Sequence, residues 1–161
     1  MNKRTQRNRR NGRSGFTIIE LGLVIVIALV LVIAAIGGYK KMYIPMKGDS
    51  AFKQISSVTF AIERTKASND NVYPTAASAK VSSIAMLQNE LGGAANSKDV
   101  ADWTYDCSAG SGQTITLTTT SFQDATVAAI AAQKVNSSLA PWTAAVAGNV
   151  VTASLPNVTC N

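Results

Sequence analysis

"GFTIIELGLVIVIALVLVIAAIGG", residues 15 to 38, decides the fold because it predicts one long apolar helix near the start of the chain. There is no polar side chain in Leu21–Gly38, and extending the run back to Phe16 adds only Thr17 and Glu20. A helix of about 20 residues crosses the hydrocarbon core of a bilayer, which is ~30 Å thick. The stretch therefore predicts a membrane-spanning helix with a carboxylate close to its first end.

Most of the excess positive charge precedes this helix. The formal net charge is +6, from 15 basic and 9 acidic residues, and six of the basic residues come before Gly15. From Phe16 onward the remaining basic residues are balanced by an equal number of acidic ones. A neutral body lacks the basic surface that binds phosphates, so no nucleic-acid binding is predicted. Only Lys40 and Lys41 lie directly after the span, so the excess of basic residues lies before it. The positive-inside rule therefore predicts a cytoplasmic N-terminus and an exported body.

The helical pattern continues beyond the apolar stretch as an amphipathic half. Apolar residues recur there at steps of three and four, the spacing of a helix with one buried face. They are Ala51, Phe52, Ile55, Val58 and Ile62. The predicted helix is membrane-spanning at 16–38 and amphipathic at 39–69, and the polar cluster 68–71 ends it. Pro45 has no backbone N–H to donate, and the glycine pair Gly37-Gly38 is a weak point of a helix. Both are therefore expected to soften, kink or interrupt the helix.

Residues 70–161 predict a small globular head with helices and strands. Capping residues, alternation of β-branched with polar residues, and turn signals indicate two short helices, one strand and one hairpin. The helices are placed at Ser82–Gly92 and Asp124–Lys134, the strand at Thr114–Phe122, and the hairpin at Trp142–Leu155 with its turn at Gly148-Asn149. The predicted fold class is α+β, in which a long N-terminal helix packs onto a head with an antiparallel sheet and short helices.

The only cysteines are Cys107 and Cys160, and the chain has no histidine. In an exported chain, two cysteines without histidine favour one disulfide over a zinc site, which normally takes four ligands. Two free thiols are the alternative. A disulfide between residues 53 positions apart would stabilise the fold by about 4 kcal/mol on the chain-entropy model.

Three common kinds of segment compete to explain the apolar stretch. A secretory signal peptide would be cut near Ala34-Ala35, but the run is longer than usual and Glu20 lies at its entrance. A twin-arginine signal at Arg9-Arg10 would continue with apolar residues, whereas Asn11-Gly12 follows here. A plain membrane anchor would leave Glu20 at the level of the lipid headgroups.

A fourth interpretation rests on the order of the residues Gly15, Phe16, Thr17, Ile18, Ile19, Glu20 and Leu21. This order resembles the processing site of type IV pilins: a glycine, then phenylalanine, and a glutamate at the fifth position after the cut. The resemblance covers Gly15 to Ile36 and extends to the amphipathic helix and the late cysteine pair. It implies that a prepilin peptidase removes the basic leader 1–15 by cutting after Gly15 and N-methylates Phe16.

The resemblance also implies roles for particular residues. Glu20 would pair with the new α-ammonium of Phe16 of a neighbouring subunit during assembly, and a Cys107–Cys160 disulfide would pin the last strand to the head. Gly37-Gly38 and Pro45 would supply the helix softening that related filaments show. The implied partners are identical subunits in a helical homopolymer, the peptidase, the inner-membrane assembly machinery and, before assembly, membrane lipid. The precursor would cross the inner membrane once, and the assembled filament would lie on the cell surface.

Catalytic chemistry finds little support. There is no nucleophile elbow and no phosphate-binding glycine loop, so we expect neither an enzyme nor a cofactor or metal. Asp99, Asp102 and Asp106 beside Trp103 could bind calcium, but a solvated acidic loop is favoured. The prediction is a major pilin. A type II secretion pseudopilin, a minor pilin and an anchored periplasmic binding domain are the alternatives, and pilin subfamilies IVa and IVb both stay open.

Overall fold

The computed structural model describes residues 17–93 and 100–161. The chain forms two compact units, divided between Lys40 and Lys41. The α+β architecture is confirmed: helix α1 (Ile18–Ser68) contributes its second half to the head, where it packs onto a five-stranded antiparallel sheet with short helices.

The amphipathic half of α1 packs with the face that its sequence spacing predicts. Ala51, Ile55, Val58 and Ile62 are all buried, whereas Phe52 is half-buried at the edge of the core. Gly48 and three small or polar residues complete the buried face; the three are Thr59, Ala61 and Thr65. The helix ends at Ser68, within the predicted polar cluster, because the chain then turns through left-handed conformations.

In the part of the chain that the structure describes, five strands form one sheet in the order β1-β2-β3-β5-β4. The strands are β1 (Ala76–Lys80), β2 (Thr104–Cys107), β3 (Gly110–Thr118), β4 (Thr143–Ala147) and β5 (Val150–Cys160). All neighbours are antiparallel. The predicted hairpin is confirmed as β4 and β5, whose turn at Gly148 has a φ of 60°, a conformation that glycine adopts without strain.

Within residues 69–93 and 100–161, two α-helices follow α1, and both differ at their ends from the prediction. The helix expected at Ser82–Gly92 is split into a 3₁₀ helix (Val81–Ser83) and α2 (Ala85–Leu91), because Ile84 between them is extended. Helix α3 (Ala125–Ser138) begins one residue later than predicted, because Asp124 is its N-cap: the Asp124 carboxylate accepts a 2.7 Å hydrogen bond from Thr126 N. The helix continues a turn past Lys134.

The strands show larger differences. The strand predicted at Thr114–Phe122 begins and ends four residues earlier, at Gly110 and Thr118, because its pairing with β5 starts at Gly110 opposite Cys160. Strands β1 and β2 were not predicted. The second strand of the hairpin runs to Cys160 rather than to Leu155.

One apolar core joins α1, α2, α3 and the sheet within the head. Its largest fully buried side chains are Trp103, Tyr105, Ile55, Ile62, Leu87, Ile115 and Leu117. Helices α1 and α3 come so close that a Cβ built on Gly48 would lie 2.5 Å from Ile130 Cγ2. A salt bridge of 2.5 Å between Asp49 and Lys134 borders this contact.

Candidate functional site

Glu20 lies in the first turn of α1. The Thr17 hydroxyl accepts a 3.2 Å hydrogen bond from Glu20 N, and the Thr17 carbonyl accepts a 3.0 Å bond from Leu21 N. Thr17 is therefore the N-cap, and Glu20 takes the third helical position, where a helix favours a negative charge. The Glu20 side chain is exposed. Gly15 and Phe16 lie outside the described residues.

The first half of α1 presents apolar side chains in every direction. The fourteen large aliphatic residues between Ile18 and Ile36 are each at least half exposed, from 51% for Ile27 to 89% for Ile18. This part of the helix is long and apolar enough to cross a membrane, and none of its most apolar window is buried in the described structure. An apolar surface of this extent needs lipid or another protein to cover it.

The predicted soft points do not interrupt α1. The helix runs through Gly37-Gly38 and through Pro45, which lies inside the helix. A break at either place is therefore wrong for the single chain. A Cβ built on Gly22, Gly37 or Gly38 would meet nothing within 4 Å, so a second helix could approach closely at each of these positions. Their softening role in a filament stays a prediction.

Cys107 and Cys160 form a disulfide, with their Cα atoms 6.2 Å apart. Cys107 ends β2 and Cys160 ends β5, so the bond joins the two strands that flank β3. Both cysteines are buried. Tyr73 N donates to Thr159 O at 3.0 Å, and the disulfide thus lies where the last strand also meets the segment after α1.

The acidic residues considered as calcium ligands serve different contacts. Asp102 pairs with Lys80 at 2.5 Å on the surface, and Asp106 accepts hydrogen bonds from the backbone and hydroxyl of Ser78 at 3.0 and 2.7 Å. Asp99 lies outside the described residues. Within residues 17–93 and 100–161, no group of three or more potential ligands is placed to hold a metal ion.

A polar cluster that the sequence did not reveal lies at the end of α1. The Tyr73 hydroxyl lies 3.0 and 2.9 Å from the two carboxylate oxygens of Glu63, and Trp142 Nε1 donates to the same carboxylate at 3.3 Å. The Lys66 ammonium lies 4.9 Å from the centroid of the Tyr73 ring. Glu63 and Trp142 are 79 positions apart, and no spacing rule connects such residues before the fold is known.

A pocket of about 420 Å³ opens beside this cluster. Its walls come from the last turns of α1, the segment between α3 and β4, and residues 155–158 of β5. The residues that line it include Phe60, Glu63, Lys66, Trp142 and Asn157. The pocket lies wholly within the head.

The buried tyrosines of the head have perturbed acidities. Burial, followed by the hydrogen bond to Glu63 and the charge of its carboxylate, raises the pKa of Tyr73 well above its usual range. Burial, followed by the charge of Asp106, likewise raises the pKa of Tyr105, whose hydroxyl donates to Pro74 O at 2.9 Å. Both hydroxyl groups thus act as hydrogen-bond donors that keep their protons.

Comparisons of the chain with protein-family models, with curated proteins and with solved structures found no match.

Proposed function

We propose that the chain is the major structural subunit of a type IV pilus, and that it acts by polymerising rather than by catalysis. The observation that carries the proposal is the joint spacing of Gly15, Phe16 and Glu20 directly before an apolar helix. The exposed aliphatic side chains of that helix support it, because they require a cover that the rest of the described chain does not give.

Processing supplies a charge that Glu20 needs. A charged residue at the centre of a membrane span costs about 2.5 to 3.5 kcal/mol on insertion scales, so a carboxylate such as Glu20 needs a partner or a position near the interface. Cleavage after Gly15 creates the α-ammonium of Phe16, and in the filament that group pairs with Glu20 of a neighbouring subunit. The pair sets the register of the incoming subunit more than it adds stability, since desolvation offsets much of the attraction.

The apolar half of α1 has two successive environments in this proposal. Lipid covers it while the subunit waits in the inner membrane, and copies of the same helix cover it in the filament. Burying a large aliphatic side chain away from water contributes about 1.5 to 3 kcal/mol, so the residues between Ile18 and Ile36 hold the subunit in the filament once it has left the membrane. The move from lipid to protein itself gains no hydrophobic energy, because lipid tails are equally apolar, and depends on close packing between helices.

The disulfide supports an exported head. Disulfides persist in oxidising compartments such as the periplasm and the cell surface. The Cys107–Cys160 bond also favours a pilin over a type II secretion pseudopilin, since the commonest pseudopilin heads lack it. Both classes share the processed helix.

Mass spectrometry of the chain purified from its native membrane tests the proposal. The expected N-terminus is N-methylated Phe16. An intact leader would leave an anchored periplasmic domain as the better explanation, and a cut near Ala34-Ala35 would indicate a secretory signal peptide. A minor pilin would have the same N-terminus but would be present in only trace amounts in purified filaments, so the abundance in filaments decides between the two.

A further inference from the structure

We infer that the pocket beside Glu63 binds a neutral polyhydroxylated ligand, a sugar ring, on the head of the subunit. This inference goes beyond the proposed polymerisation, which depends on the first half of α1. The pocket's volume of about 420 Å³ lies in the lower part of the range of small-molecule sites.

The charges of the pocket favour a neutral ligand. Glu63 and Lys66 both line it, one turn apart on α1, and their formal charges are opposite. Neither makes an ion pair in the part of the chain that the structure describes. An anion would meet the Glu63 carboxylate and a cation would meet the Lys66 ammonium, so neither gains net attraction. A hydroxyl group both donates and accepts, and can therefore use both side chains.

The Glu63 carboxylate is held in place before any ligand arrives. The Tyr73 hydroxyl and Trp142 Nε1 fix its orientation through hydrogen bonds of 2.9 to 3.3 Å. A carboxylate has about four acceptor positions, so it retains capacity for a ligand hydroxyl. Because the carboxylate loses little further freedom on binding, the entropic cost of the contact is small.

An aromatic ring at the pocket provides the apolar contact that a sugar needs. Phe60 is 58% exposed, although it follows the buried Thr59 on α1. One face of a pyranose ring carries mainly C–H groups, and such a face covers an aromatic ring while its hydroxyls stay hydrogen-bonded at the edge. Asn157, an exposed residue of β5, also lines the pocket.

The test titrates the full-length chain in detergent micelles with methyl glycosides of glucose, galactose and mannose. The indole N–H signals of the chain's two tryptophans, Trp103 and Trp142, are followed by NMR. We expect the Trp142 signal to shift saturably with at least one sugar, at a dissociation constant on the order of 1 mM. Trp103 is fully buried elsewhere in the core, and its signal should stay in place.

Variants identify the site. Phe60→Ala should weaken binding about tenfold or more, and Lys66→Gln should weaken it severalfold, a loss typical of one ligand hydrogen bond. Met86→Ala is the matched control, because Met86 is an apolar residue of α2 that is 44% exposed and does not line the pocket. It should bind like the wild type, and all three variants should keep the wild-type unfolding midpoint.

Several results would overturn the inference. They are no Trp142 shift with any of the three glycosides, equal binding by Phe60→Ala and the wild type, and a shift as large with tetramethylammonium, inorganic phosphate or glycine as with a sugar. Because the experiment uses detergent-dispersed chains, it does not depend on filament assembly. An N-terminus other than methylated Phe16 would therefore refute the proposed function without affecting this test.

Discussion

The two halves of α1 differ in how much of their surface is apolar and in where their partners lie. Ile27 in the first half is 51% exposed, whereas Ile62 in the second half is completely buried in the head. The first half is apolar all round, and the second is apolar along one face. A helix with one apolar face can thus bury that face within its own chain, whereas a helix that is apolar all round needs an outside partner.

The largest expected effect is a loss of filament assembly without any change in folding. On the proposed function, Glu20→Ala should leave membrane insertion, cleavage and the unfolding of the head unchanged, yet abolish filaments, because the proposed partner of the neighbouring subunit's Phe16 ammonium is removed. Electron microscopy of sheared filaments measures the outcome. Glu20→Gln keeps the size and removes the charge, and it should fail in the same way. Abundant normal filaments from either variant would contradict the role given to Glu20.

The disulfide lies in the head, whereas the first half of α1 contains no cysteine. Replacing Cys107 and Cys160 together by serine should lower the free energy of unfolding of the head by about 4 kcal/mol, because the unfolded chain regains the freedom of a 53-residue loop. Urea unfolding followed by tryptophan fluorescence measures this, since Trp103 and Trp142 are both buried in the head. An unchanged midpoint would show that the disulfide contributes nothing.

Two glycines in the same helix give a matched pair. Alanine at Gly48 would place a Cβ 2.5 Å from Ile130 Cγ2 and 2.9 Å from its Cβ, whereas alanine at Gly37 meets nothing within 4 Å. Overpacking costs about 1 to 3 kcal/mol, and the gain in helix propensity returns at most about 1 kcal/mol. Gly48→Ala should thus lower the urea midpoint of the head, and Gly37→Ala should leave it unchanged.

A second substitution, Ile130→Ala, tests whether the clash with Ile130 causes the loss of stability in Gly48→Ala. If the clash with Ile130 explains the loss, adding Ile130→Ala to Gly48→Ala should cost less than the sum of the two single changes. Strict additivity of the two would mean that Gly48 is required for another reason.

The sequence predicted those parts of the fold that carry strong local signals. The buried face of α1, its end near Ser68 and the turn at Gly148 follow from apolar spacing and turn chemistry. Strands β1 and β2 escaped prediction because they have only five and four residues, and β1 is mostly alanine, which has low strand propensity. Their pairing is decided by neighbours distant in sequence.

The candidate sites also differ in whether a local sequence signal identifies them. Glu20 was singled out because the pattern of Gly15, Phe16 and Glu20 is local, and the cysteine pair because the sequence has only two cysteines. The Glu63 cluster was missed, since its members come from α1, the segment after it and the segment just before β4. An acidic residue directly after the buried Ile62 was the sole hint, and it did not identify Tyr73 or Trp142 as partners.

The smallest expected effect is the loss of stability that the buried tyrosines cause, which is negligible near neutral pH and grows only at alkaline pH. In the unfolded chain Tyr73 and Tyr105 lose their protons near the usual pKa of 10.0, whereas the raised pKa of each keeps the proton on in the folded head. Above about pH 10 the unfolded state thus binds fewer protons, and the free energy of unfolding falls with pH, by up to about 1.4 kcal/mol per pH unit for each tyrosine.

Urea unfolding between pH 8 and 11 measures the slope. Tyr73→Phe should remove about half of it, whereas Tyr39→Phe, at a position 65% exposed in the first half of α1, should retain all of it. Equal slopes for the two variants would show that the alkaline loss does not come from the Glu63 cluster.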